Sequence, residues 1–197
     1  MKQLLAVCLV LVFAVTAFAG DNPQVYAYIS FDPAGDEAQN AVSPTPYTTV
    51  DGYVCLGCIQ GGMTTLSFRL NDVVSGCPGV MATQAFVNLL PGGLMIGDPF
   101  AGGATIASTM CMIMDPVVVG YGSYFYLGGA CCIEILDHVD YPRWVVDCQD
   151  PGQVDLYCLQ GHGIVAGGTC VTPTDYPCPC GSAVEDATWG GIKALYR

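Results

Sequence analysis

The sequence predicts an all-β fold: an antiparallel β-sandwich stapled by disulfides, with a short C-terminal helix. Three observations carry this expectation. Short segments alternate apolar and polar residues with a period of two and are punctuated by Gly and Pro, as packed strands are. No window between residues 20 and 180 sustains a helical period with caps. Cysteines are dense, and in an exported chain that density reads as disulfides.

In chain order, MKQLLAVCLVLVFAVTAFAG sets one cation, Lys2, before an apolar run from Leu4 to Phe18, with small residues at Ala17 and Ala19. This is the layout of a secretory signal over residues 1–19, cleaved after Ala19. The run is shorter than the roughly 20 residues a membrane-spanning helix needs, so no integral span is expected. Cys8 lies before the cleavage point, where a lipidated cysteine does not stand. Residues 20–171 are expected to form the sandwich domain, 172–182 a Pro/Cys-rich linker, and 183–197 a tail.

The strands follow. In QVYAYISF, Val25, Ala27, Ile29 and Phe31 alternate with Tyr26, Tyr28 and Ser30, predicting a half-buried strand. The polar, proline-bearing DPAGDEAQNAVSPTPY reads as a long loop. DGYVCLGC is extended, and MTTLSFRL sets Thr64, Leu66, Phe68 and Leu70 on one face; these are the two central strands. Shorter strands are expected in TQAFVNLL, GGLMIG, ATIASTMCMIM, GSYFYL, CCIEIL, RWVVDC and QVDLYC. His162, in QGHGIVAGG, reads as a loop residue. In the tail, Ser182 and Glu185 stand at capping-box spacing, and Trp189, Ile192, Leu195 and Tyr196 share one helical arc flanked by Lys193 and Arg197.

Charge narrows the partners. With Lys2 gone, only Arg69, Arg143, Lys193 and Arg197 face 17 acidic residues, and the net charge moves from −12 to −13. Such a chain repels phosphate backbones, so nucleic acid is not expected as a partner. No Asn-X-Ser/Thr acceptor occurs, which points to a bacterial source.

After cleavage eleven cysteines remain: Cys55, Cys58, Cys77, Cys111, Cys131, Cys132, Cys148, Cys158, Cys170, Cys178 and Cys180. The odd number leaves one thiol free, metal-bound or paired between chains. With a turn at Asp150–Gly152, Cys148 falls opposite Asp155 and about 10 Å from Cys158, too far for those two to pair. Adjacent Cys131 and Cys132 point to opposite faces of their strand. CLGC has the C-x2-C spacing of zinc knuckles and CPC adds two more thiolates, but no second C-x2-C at ribbon spacing accompanies them, so structural disulfides are the better reading.

No G-x-S-x-G, H-E-x-x-H, phosphate-binding loop or dinucleotide fingerprint occurs. Two weak catalytic candidates stand out: Glu134, a carboxylate within the apolar CCIEIL, and His138, between Asp137 and Asp140. No cofactor is expected. Calcium is the one ion the loops could offer oxygen to, through Asp32, Asp36 and Glu37 or through Asp147, Asp150 and Asp155, with solvated turn acids as the default. Tyr121, Tyr124, Phe125 and Tyr126 in YGSYFYL are candidates to stack on sugar rings, although alternate aromatics more often fill a core.

The stretch GYVCLGCIQGGMTTLSFRL runs from an extended strand through a Gly-Gly turn into a strand ending F-x-L. It resembles the cohesin-like and carbohydrate-binding-module-like sandwiches of exported bacterial proteins, over Gln24 to Gly168. That resemblance implies a protein or glycan ligand, a dockerin among them. TWGGIKALYR resembles the W-G-x-I-K-x-L-[YF]-R endings of secreted proteins of environmental bacteria. It implies a localisation or docking element, engaged by export or surface-attachment machinery, as against a closing helix docked on its own domain.

The expectation is therefore a non-catalytic binding module, secreted or held at the cell surface. The alternatives are a secreted carboxylate-dependent hydrolase of glycosidase type, and a structural subunit that self-associates through edge strands or an interchain disulfide.

Overall fold

The computed structural model describes residues 22, 24–71, 79–149, 152, 154–155, 158–159 and 162–168. These form two packed β-sheets. The first holds β1 (Tyr26–Ser30), β3 (Thr48–Gly57), β5 (Val80–Ala82), β6 (Val87–Asn88), β9 (Val117–Tyr126) and β13 (Cys158–Leu159), in the order β13-β1-β3-β9-β5, with β6 also on β9. The second holds β2 (Ala41–Val42), β4 (Met63–Leu70), β7 (Leu94–Asp98), β8 (Gly103–Met112), β10 (Cys131–Leu136), β11 (Trp144–Val146), β12 (Val154–Asp155) and β14 (His162–Val165). There β4 is central, with β8 and then β7 beyond it, and with β10 and β11 pairing along it. Pairing is antiparallel except for two short parallel contacts, β1 with β13 and β14 with β2.

The facing sides of the sheets make the core. Ala27, Ile29, Val54, Leu56, Val119 and Tyr124 from the first meet Leu66, Phe68, Leu70, Ile106, Ile133 and Val145 from the second. Burying such side chains is the main favourable term, at about 1.5–3 kcal/mol each. Phe68, Phe86, Phe100 and Tyr124 interlock edge to face in a chain, with ring centroids 5.5, 6.5 and 5.9 Å apart. Register partners Gly52 and Gly122 make room for that chain, because a Cβ on Gly122 would press into Phe100 and one on Gly52 into Tyr124.

The two central strands stand where the sequence predicts. β4 buries Leu66, Phe68 and Leu70, but a register shift between Met63 and Thr65 buries Met63 in place of Thr64. β1 is buried on both faces, not one. The long loop after it folds back over the outer face: Tyr26 Oη donates to Glu37 Oε2 (2.7 Å) and Tyr28 Oη to the Gly35 carbonyl (2.6 Å). Tyr26, Tyr28, Cys55 and Cys58 form a second apolar cluster under this strap.

Other readings are corrected. HGIV is strand β14, not loop, because Ile164 and Val165 pair with Cys132 and Cys131 and with β2. QVDLYC divides into β12 and β13, which sit in different sheets. TQAFVNLL keeps only β6 as strand, while Thr83 follows on from β5 along β9, its amide donating to the Ser123 carbonyl. Asp155 faces Val145 and not Cys148. Cys148 pairs with Cys111, Cα–Cα 5.6 Å, closing a loop of 37 residues' separation. Gly62, at φ +69°, lies against both of its sulfurs, where a side chain would collide. Buried Asn22 clamps the same turn, accepting from the amides of Gln60 and Gly61 and donating to the Gly62 carbonyl.

Candidate functional site

The expected site residues are scattered. Glu134 lies on the outer side of β10, with Asn71 exchanging hydrogen bonds with its backbone and His162 opposite it in register. His138 is not oriented by a carboxylate: its Nδ1 accepts from the Asp140 amide (3.1 Å) and its ring lies against Tyr141, while Asp137 is held by Arg143 at 3.1 Å.

Among the described residues no group of three His, Cys, Asp or Glu is placed to hold a metal ion. Asp32 and Asp36 each accept from a backbone amide two residues on, Ala34 and Ala38, and Glu37 accepts from Tyr26. Buried Asp147 accepts from the Gln149 amide, the strand carrying Asp155 lies across from β11, and Asp150 is outside the described residues. So are Cys77, Cys170, Cys178, Cys180 and the tail residues Trp189, Ile192, Lys193, Leu195, Tyr196 and Arg197.

Cys58, Cys131 and Cys132 are disulfide-bonded, as are Cys111 and Cys148. Among the described cysteines whose bonding state is defined, Cys55 is a free thiol, fully buried, and burial pushes its pKa up to about 12. Such a thiol is protonated and unreactive at neutral pH. Of the aromatics in YGSYFYL, Tyr124 and Tyr126 are core while Tyr121 and Phe125 face outward and are partly exposed.

What the structure does assemble is a surface. On the outward side of the second sheet the ladder registers Ile96, Thr105, Ser67 and Trp144 in one row, and Leu94, Ala107, Thr65 and Val146 in the next. The residues between them, Met95, Ile106, Leu66 and Val145, point into the core, so these eight share the opposite face. None is charged. Leu94 and Ile96 remain 60% and 65% exposed on edge strand β7. Ser67 is itself fully buried, so the exposed part of this charge-free strip is carried by Leu94 and Ile96, with Thr65, Thr105, Ala107, Trp144 and Val146 half-buried beside them, in a strongly acidic chain. Sequence reasoning found these strands but not the surface. Its trace is that LMI and WVV are apolar at every position although neither is a central strand.

No protein-family model and no curated protein matches the chain. Solved structures do match. A cohesin module from a Clostridium perfringens family 33 glycoside hydrolase aligns with 72% of this chain and 94% of its own at TM-score 0.52 and 7% identity. The OlpC cohesin of a type I cohesin–dockerin complex from Clostridium thermocellum aligns with 76% and 97% at TM-score 0.50 and 8% identity. The fold is thus a cohesin-like β-sandwich; identities this low speak to fold alone. No helix among the described residues is long and apolar enough to cross a membrane.

Proposed function

We propose that this chain is an exported, non-catalytic module that binds a protein partner on the outward face of β7, β8, β4 and β11. The observation that carries the reading is the pair of charge-free rows ending in exposed Leu94 and Ile96. Hot spots of protein interfaces are few, central and desolvated, and a strip of this kind can supply them through Ile96 and Trp144. The cohesin-like fold supports the reading, since the OlpC cohesin is found in complex with a dockerin. A secreted or cell-surface location, in a bacterium, belongs to the same proposal; the leader pattern and the Cys111–Cys148 disulfide support it.

The test is retention of the source cell's secreted proteins on the immobilised full chain. One protein should be retained, and Ile96→Asp should weaken its binding by about tenfold or more, while Met81→Asp on the other sheet changes nothing. Equal effects of the two substitutions would refute the assignment of the face. Self-association is a second reading, favoured because β7 is an edge strand carrying the same two aliphatics. Sedimentation decides it: a monomer that does not dimerise with rising concentration excludes that reading.

A further inference from the structure

The outward face of the first sheet carries a different arrangement. Tyr53 and Tyr121 are register partners on β3 and β9, their rings 5.3 Å apart and tilted by 44°. In the adjacent outward-facing row, Ser123 Oγ donates to Asp51 Oδ1 and accepts from Gln84 Nε2 (2.8 Å), so carboxylate, hydroxyl and amide form a linked line beside the rings. One row further, Phe125 pairs with Met81, which is 49% exposed. Tyr121 and Phe125 are four residues apart, about 13 Å at strand rise, so an apolar surface stands at each end of a polar line.

We propose that this platform binds a neutral oligosaccharide, its C–H faces laid on Tyr121 and Phe125 and its hydroxyls bonded to Asp51 and Gln84. Each part meets one property of that ligand. Tyrosine rings present an apolar face with a polar rim. The Asp51 carboxylate is acceptor-only and the Gln84 amide offers both donor and acceptor, the combination that vicinal hydroxyls satisfy in pairs. Anionic saccharides do not suit it, because Asp51 and Asp32 both act on Tyr53 and the chain carries a net charge of −12. A platform on the first sheet leaves the strip on the second sheet free, so the two proposals stand or fall separately.

Affinity electrophoresis of the full chain tests this, through gels carrying hydroxyethylcellulose, laminarin, xylan or galactomannan. The expected result is retardation in at least one. Tyr121→Ala and Gln84→Ala should each weaken binding by about tenfold, and Ile96→Asp should leave it unchanged. Gln84 is exposed with a single hydrogen bond, so its substitution is safe for folding. Unretarded migration in all four gels would overturn the proposal. So would retardation that both platform substitutions leave intact, or retardation only by an anionic polysaccharide such as pectate.

Discussion

Cys55 and its tyrosine neighbours illustrate how burial governs single residues here. The thiol is fully enclosed by β1, β3 and the strap, so a reagent such as dithionitrobenzoate should not modify it in the native chain and should do so once denaturant is added. Fast modification without denaturant would mean that the strap opens. Burial is also the leading cause that raises Tyr26, Tyr28 and Tyr124 above the ordinary phenol value of 10.0, as it raises Cys55 above 9.0; Glu37 adds to the shift at Tyr26. Each group keeps its proton in the fold at a pH where the unfolded chain has released it. Their stabilisation is therefore complete below the ordinary values and is lost as pH rises above them. Urea midpoints should hold near neutrality and fall above about pH 9. Tyr28→Phe, which also removes the bond to Gly35, should cost about 1 kcal/mol at neutral pH and flatten that alkaline fall. A midpoint unchanged up to pH 11 would show that these groups are solvated.

Among the elements, β4 and its neighbours carry the most consequence. Phe68 is fully buried on β4 and meets Phe86, so Phe68→Ala should destabilise by about 3–5 kcal/mol in chemical denaturation. Removing the Cys111–Cys148 bridge in a Cys111→Ala/Cys148→Ala double variant should cost about 4 kcal/mol, from the loop it closes. A loss below about 1 kcal/mol would mean that Asn22 and the β4 pairing already fix that turn. The sequence makes strands with clear alternation legible, as in MTTLSFRL, because period two reports directly on a half-buried pleat; QVYAYISF is legible as a strand by the same period, but not as one covered on both faces. It hides elements whose order comes from partners. β14 is a strand through its pairing with β10 and β2, against the loop signal of its flanking glycines. The strap over β1 reads as solvated because its few bonds to Tyr26 and Tyr28 are tertiary.

At the scale of the molecule, the two sheets divide two surfaces of unlike chemistry around one core. An all-β sandwich was legible from strand spacing, and its cohesin-like type only as a resemblance carried by GYVCLGCIQGGMTTLSFRL; the charge-free strip was not legible. It is made from four strands separated in sequence, and only the registers Ile96–Thr105–Ser67–Trp144 and Leu94–Ala107–Thr65–Val146 bring them together. Of the acids that the sequence marks for calcium, Asp32 and Asp36 accept from local backbone amides and Glu37 from a tyrosine, a use that a string of letters does not distinguish from ligation. The strip should matter to binding alone: Leu94→Asp and Ile96→Asp lie on exposed positions and should each change stability by less than about 0.5 kcal/mol. The most direct measurement of the central claim is photo-crosslinking from benzoylphenylalanine placed at position 96 in the full chain, in the source cell, with position 81 as the comparison. A protein-binding strip gives one heterologous adduct from position 96 and none from position 81. No adduct from position 96, or the same adducts from both positions, would contradict it.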